Sequence, residues 1–109
     1  MDSILTSIKK MHGISEDYTQ FDTDLIMYIN SILSVLTQIG VGPASGFSIS
    51  DSSALWSDWL GTDNAYNGVI TYVYLRVRLL FDPPSSSSVI KAYDSMIHEL
   101  EFRLLVTTK

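Results

Sequence analysis

Along most of the chain the apolar residues recur at intervals of three and four, a spacing that predicts helices. Asp2 and Ser3 can cap a short first helix with Ile4, Leu5, Ile8 and Met11 on one face and Gly13 at its end. A polar stretch from Ile14 to Phe21 follows. Asp22 or Thr23 can cap a second helix, whose apolar positions are Leu25, Ile26, Ile29, Leu33, Leu36 and Ile39. Gly40 stops it, after roughly 24 Å at the usual helical rise. Gly40 to Ser50 is a loop containing glycine, serine and proline. Asp51, Ser52 and Ser53 then offer caps for a short third helix carrying Leu55, Trp56, Trp59 and Leu60, closed by Gly61. Thr62, Asp63 and Asn64 restart the chain.

The segment from Ala65 to Phe81 fits two patterns. Val73, Leu75, Val77 and Leu79 alternate with Tyr72, Tyr74, Arg76 and Arg78, as in a strand. Tyr66, Val69, Ile70, Val73, Val77 and Leu80 fit a helical stripe equally well. An uninterrupted run of this length exceeds an ordinary strand, so a helix is expected. It would be apolar on more than one face and therefore central. Asp82-Pro83-Pro84 breaks it, because proline cannot continue the ladder and restricts the residue before it. The serines from Ser85 to Ser88 can cap a last helix with Val89 or Ile90, Tyr93, Ile97, Leu100 and Leu104 on its stripe. Glu99 and Arg103 form an i,i+4 pair in the favourable order. The expected fold is all-α, a small bundle of four to five helices in a single domain spanning residues 1–109.

Composition narrows the function classes. Cysteine is absent, which excludes disulfides and thiolate metal sites. Charged residues make up 17%, against about 25% in an average domain. Much of the surface is then neutral, as in a subunit with large permanent interfaces. The net charge of −5 disfavours sequence-specific nucleic-acid binding. No charged residue lies between Asp24 and Asp51, but polar side chains interrupt the apolar run too often for a membrane span. The N-terminus lacks the small-residue cleavage site of a signal peptide.

No enzyme motif stands out, and no cofactor or metal is implied. His12 and His98 are distant in sequence and read as surface residues. Asp22, Asp24, Asp51, Asp58, Asp63, Glu99 and Glu101 read as caps and solvated faces. Trp56 and Trp59 share a helix face, and at least one of them belongs in the core. Arg76 and Arg78 either snorkel from an exposed side or pair with acids of a neighbouring subunit. Asn30, Ser34, Thr37 and Gln38 form a polar but uncharged stripe on the second helix, a candidate subunit interface. Leu105 and Val106 fall off the core stripe of the last helix. With Thr107, Thr108 and Lys109 they form a candidate docking element at the C-terminus.

The run Thr71-Tyr72-Val73-Tyr74-Leu75-Arg76-Val77-Arg78-Leu79-Leu80-Phe81-Asp82-Pro83-Pro84 resembles the most recognisable stretch of the phage head–tail connector family. The segments Ile29-Asn30-Ser31 through Ile39-Gly40-Val41-Gly42-Pro43 and Glu99-Leu100-Glu101-Phe102-Arg103-Leu104 are similar to it too. The resemblance implies an all-α fold and a ring, usually of twelve subunits, between the portal protein and the next neck or stopper protein. DNA would pass through the lumen, and the C-terminal residues would dock on the portal. It further implies a virion neck component, assembled in the cytoplasm of the bacterial host, with no catalytic residues. The competing expectation is a small acidic regulator that binds one protein partner as a monomer or dimer.

Overall fold

The computed structural model describes residues 3–61 and 68–107, with Thr107 through its backbone only. The Asp2 cap, the restart at Thr62-Asp63-Asn64, the first residues of the expected fourth helix, Thr108 and Lys109 lie outside the described residues. The described residues form five helices, α1 Ile4–Met11, α2 Asp22–Ile39, α3 Trp56–Leu60, α4 Val69–Phe81 and α5 Ser87–Thr107. They form a slab of about 38 × 35 × 20 Å. The only extended pairing among the described residues is an isolated bridge between Ser3 and Leu55, which ties the starts of α1 and α3 together.

α4 is the central helix. Val69, Tyr72, Val73, Leu75 and Val77 are buried, and together they cover more than half of its circumference. α2 packs on one side of α4 and α5 on another. On α2 the expected Leu25, Ile29, Leu33 and Leu36 are buried, and Ile32 joins them. Ile32 lies outside the predicted stripe because α2 is covered by both α1 and α4, which widens its buried arc. Ile97 and Leu104 anchor α5, with Ile90, Tyr93 and Leu100 partly buried. Both tryptophans are buried. Met11 and Leu80, placed on core stripes by their spacing, are exposed instead. Each lies in the last turn of its helix, next to the point where the chain turns away.

The caps differ in part from expectation. Ser3 Oγ accepts the Thr6 N–H at 3.2 Å, as predicted for α1. Ser86 Oγ accepts the Val89 N–H at 3.4 Å, within the predicted serine run. Gly40 ends α2 in the left-handed region, at φ 108°. Neither Asp22 nor Thr23 caps α2, whose N-cap position is Phe21 with no side-chain bond. The Asp22 carboxylate is drawn away to the Lys9 ammonium at 2.9 Å. Lys9 is only 2% exposed and also donates to the Glu16 carbonyl at 3.0 Å. At α3 the Asp51 carboxylate accepts from Ser53 instead of capping the helix, and Asp58 Oδ2 accepts the Leu55 N–H at 2.9 Å.

His12 is not a surface residue. It is half-buried at the end of α1, against the rings of Tyr74 at 5.2 Å and Phe81 at 5.8 Å. Its Nδ1–H donates to the Ile8 carbonyl at 2.9 Å, while Nε2 is buried with no partner among the described residues. Phe81 also meets Phe21 and Tyr28 edge-on or tilted, so one aromatic knot joins the ends of α1 and α4 to the start of α2.

Two outcomes follow from these contacts. Removing the Asp22 carboxylate strands a buried ammonium, so Asp22→Ala is expected to cost about 3–5 kcal/mol of unfolding free energy. Lys9→Met leaves only a partly exposed carboxylate and costs less; urea denaturation of the two variants measures the asymmetry. Burial lowers the pKa of His12 below its ordinary 6.5, helped by Arg78 and opposed by the Ile8 carbonyl and Asp82. The unfolded chain therefore binds this proton first. The stability contribution is complete above 6.5 and is lost as pH falls below it. Melting temperature should drop between about pH 7 and 5, and His12→Phe should flatten that part of the profile.

Candidate interaction surfaces

The stripe on α2 forms one wall of a groove. Asn30, Ser34, Thr37 and Gln38 stand on the helix, and Ser45, Gly46, Phe47 and Ser48 of the following loop face them. The open space between them is about 440 Å³. All four predicted residues are therefore brought together, and none of the lining residues is charged. Ser34 and Gln38 are exposed, whereas Asn30 and Thr37 are partly buried.

Asn30 holds the loop in place. Its Nδ2 donates to the Ile49 carbonyl at 2.9 Å, and its Oδ1 accepts the Ile49 N–H at 2.8 Å. One side chain thus satisfies both backbone groups of Ile49, which is itself buried. Thr37 Oγ1 donates to the Leu33 carbonyl at 3.0 Å and so spends its proton on its own helix. Behind the groove, the Phe47 ring stacks on Trp59 at 6.3 Å, and Trp59 lies against Trp56 at 6.2 Å. Trp56 Nε1 donates to Ser7 Oγ at 3.0 Å. Trp59 Nε1 is buried with no acceptor among the described residues. Gly42 passes close over this indole: a Cβ there would sit 2.3 Å from Nε1, at a φ of +78°. Both the space and the backbone require glycine.

The arginines lie elsewhere, on α4. Arg76 Nη1 is 3.7 Å from Glu101 Oε2, and its guanidinium lies 5.8 Å from the Tyr72 ring centre. The Tyr72 hydroxyl donates to the same Glu101 carboxylate at 2.6 Å. Burial and this hydrogen bond push the Tyr72 pKa well up, so the hydroxyl keeps its proton. The trio fastens α4 to α5. Arg78 Nε donates to the Asp82 carbonyl at 2.7 Å and closes the end of α4. The structure therefore separates both arginines from the α2 stripe and engages each within its own chain.

At the far end of α5, Leu105 and Val106 are exposed, the latter 61%. Phe102, which lies outside the predicted docking element, is 68% exposed. It lies three and four residues before them, so the three share one helix face. The signal was present in the spacing, but Phe102 sits beside charged residues that mask it. Thr107 belongs to α5 by its backbone.

No group of three or more histidines and acids capable of holding a metal occurs among the described residues. No described helix is long and apolar enough to cross a membrane. A family model described as phage connector protein matches residues 4–109. No curated protein matches the chain, and no solved structure does.

The Asn30 clamp is testable on its own. Asn30→Ala leaves two backbone groups of Ile49 without partners, at a cost of about 1–3 kcal/mol. Amide exchange at Ile49 should accelerate, while exchange in α5, which the clamp does not touch, should change only through the global loss of stability.

Proposed function

The chain belongs to the phage connector protein family, and on that premise we propose that it is a structural head-completion protein, a ring adaptor between the portal and the next neck or stopper protein. The single observation that carries this reading is the family match across residues 4–109. Membership gives a phage connector and a component of the virion. The ring, its twelve subunits, its assembly in the host cytoplasm and the passage of DNA through its lumen belong to the proposal. No catalysis and no cofactor enter it.

Two surfaces support the reading. Asn30, Ser34, Thr37 and Gln38 give a face that is polar enough for water yet free of charge, suited to burial against a neighbouring subunit. Because Arg76 and Arg78 are engaged within the chain, the subunit contact is assigned to this face in preference to theirs. The end of α5 provides the second surface. Leu105 and Val106, joined by Phe102, are apolar and uncovered, and we assign this end, with Thr107, Thr108 and Lys109, to docking on the portal. Acidic side chains on the lumen wall would let DNA slide without phosphate contacts.

The test is electron microscopy of the purified protein, alone and with portal, together with co-sedimentation of a chain ending at Leu104. Rings on the portal are expected, with a folded truncated protein that binds portal more weakly. Each lost apolar anchor contributes at most a few kcal/mol per subunit, multiplied around the ring. Compact monomers or dimers that ignore the portal would overturn the reading in favour of a small acidic binding protein. Undiminished binding of the truncated chain would remove the C-terminus from the docking surface.

A further inference from the structure

A closed ring of identical copies needs a heterologous contact, in which one face of each copy meets a different face of the next. α2 and α5 each pack on α4 and are not a closely packed pair themselves, so each keeps an outer face of its own. That is the arrangement a head-to-tail contact requires.

Charge selects which parts of those faces can meet. Each copy carries a net charge of −5, so two copies repel wherever their acids approach. The repulsion is least where both surfaces are neutral. On α2 and its loop, no residue between Asp24 and Asp51 is charged. On α5, Val89, Ala92 and Met96 are exposed and spaced by three and four, an uncharged stripe on the half of the helix remote from the proposed portal end. A partner of opposite charge would find little on either face to pair with, whereas a second copy fits both.

Shape and unfinished bonding point the same way. The α2 side is concave, with Ser34 on one wall and Phe47 on the other. Methionine is unbranched and adaptable, a side chain that fills an irregular recess and makes favourable contacts with an aromatic ring. Behind Phe47, the Trp59 N–H is buried with no acceptor among the described residues, a bond the groove wall leaves unmade.

We propose that the Val89–Ala92–Met96 face of one copy docks in the groove between α2 and the loop of the next, with Met96 against Ser34 and Phe47. This rests on the ring reading and names the two faces that build it. The chain contains no cysteine, which makes the contact directly testable. The double variant Ser34→Cys/Met96→Cys, assembled into rings seen by microscopy and treated with a short bifunctional maleimide, should give a ladder of linked copies. Each single variant should give none. Ser34→Arg should keep the helical circular-dichroism signal and lose the rings, because it places an unpaired charge in the contact. Rings without a ladder would overturn the proposal while leaving the ring reading intact. So would dimers from either single variant, which signal a self-complementary face, or a ladder from Ser34→Cys/Phe102→Cys in its place. Absence of rings under every condition, portal included, would overturn both.

Discussion

The fold depends on covering α4. A helix buried around more than half of its circumference cannot be satisfied by one neighbour, because a single helix offers only a stripe. α2 and α5 each supply one, and both pack on α4. The tryptophans of α3 and the apolar face of α1 complete the core. The outward faces of α2 and α5 are thereby fixed in direction by the demands of the interior.

Much of the architecture was legible because helices announce themselves over short distances. The three–four spacing of Leu25, Ile29, Leu33 and Leu36 sits within one element, as do the stops at Gly40 and Pro83-Pro84. What escaped notice depends on residues brought together from far apart. Lys9 looks like an ordinary basic residue in the last turn of α1, and nothing nearby signals that Asp22 will meet it across a loop. The same contact explains why Asp22, well placed as a cap, does not act as one. Arg76 allowed two readings until α5 delivered Glu101 beside it. The helical half of the groove followed from periodicity. The loop half did not, because it hangs on Asn30 meeting Ile49 nineteen residues later.

Charge is distributed unevenly over this architecture. Part of it closes helices or fastens them together, as with Asp58 at α3, Arg78 at the end of α4, and Arg76 with Glu101 between α4 and α5. The groove has none. Contacts made through a neutral face are little weakened by salt, since screening acts on charges. An assembly joined that way would keep its lateral cohesion across wide changes in ionic strength, while contacts that use the charged parts of α5 would respond to it.

The loop after α2 is pinned at both ends. Gly40 N–H closes on the carbonyls of Leu36 and Thr37, and Val41 is buried just beyond; at the far end Asn30 grips Ile49. Gly42 is held against Trp59, which leaves the stretch from Pro43 to Gly46 as the part with room to vary. Each doubling of a flexible loop adds only about 0.6 kcal/mol of closure entropy. Residues inserted there would lengthen the rim of the groove without moving the helices behind it. The loop is thus a site where related chains could diverge in length, reshaping what the rim touches while inheriting the same helical frame.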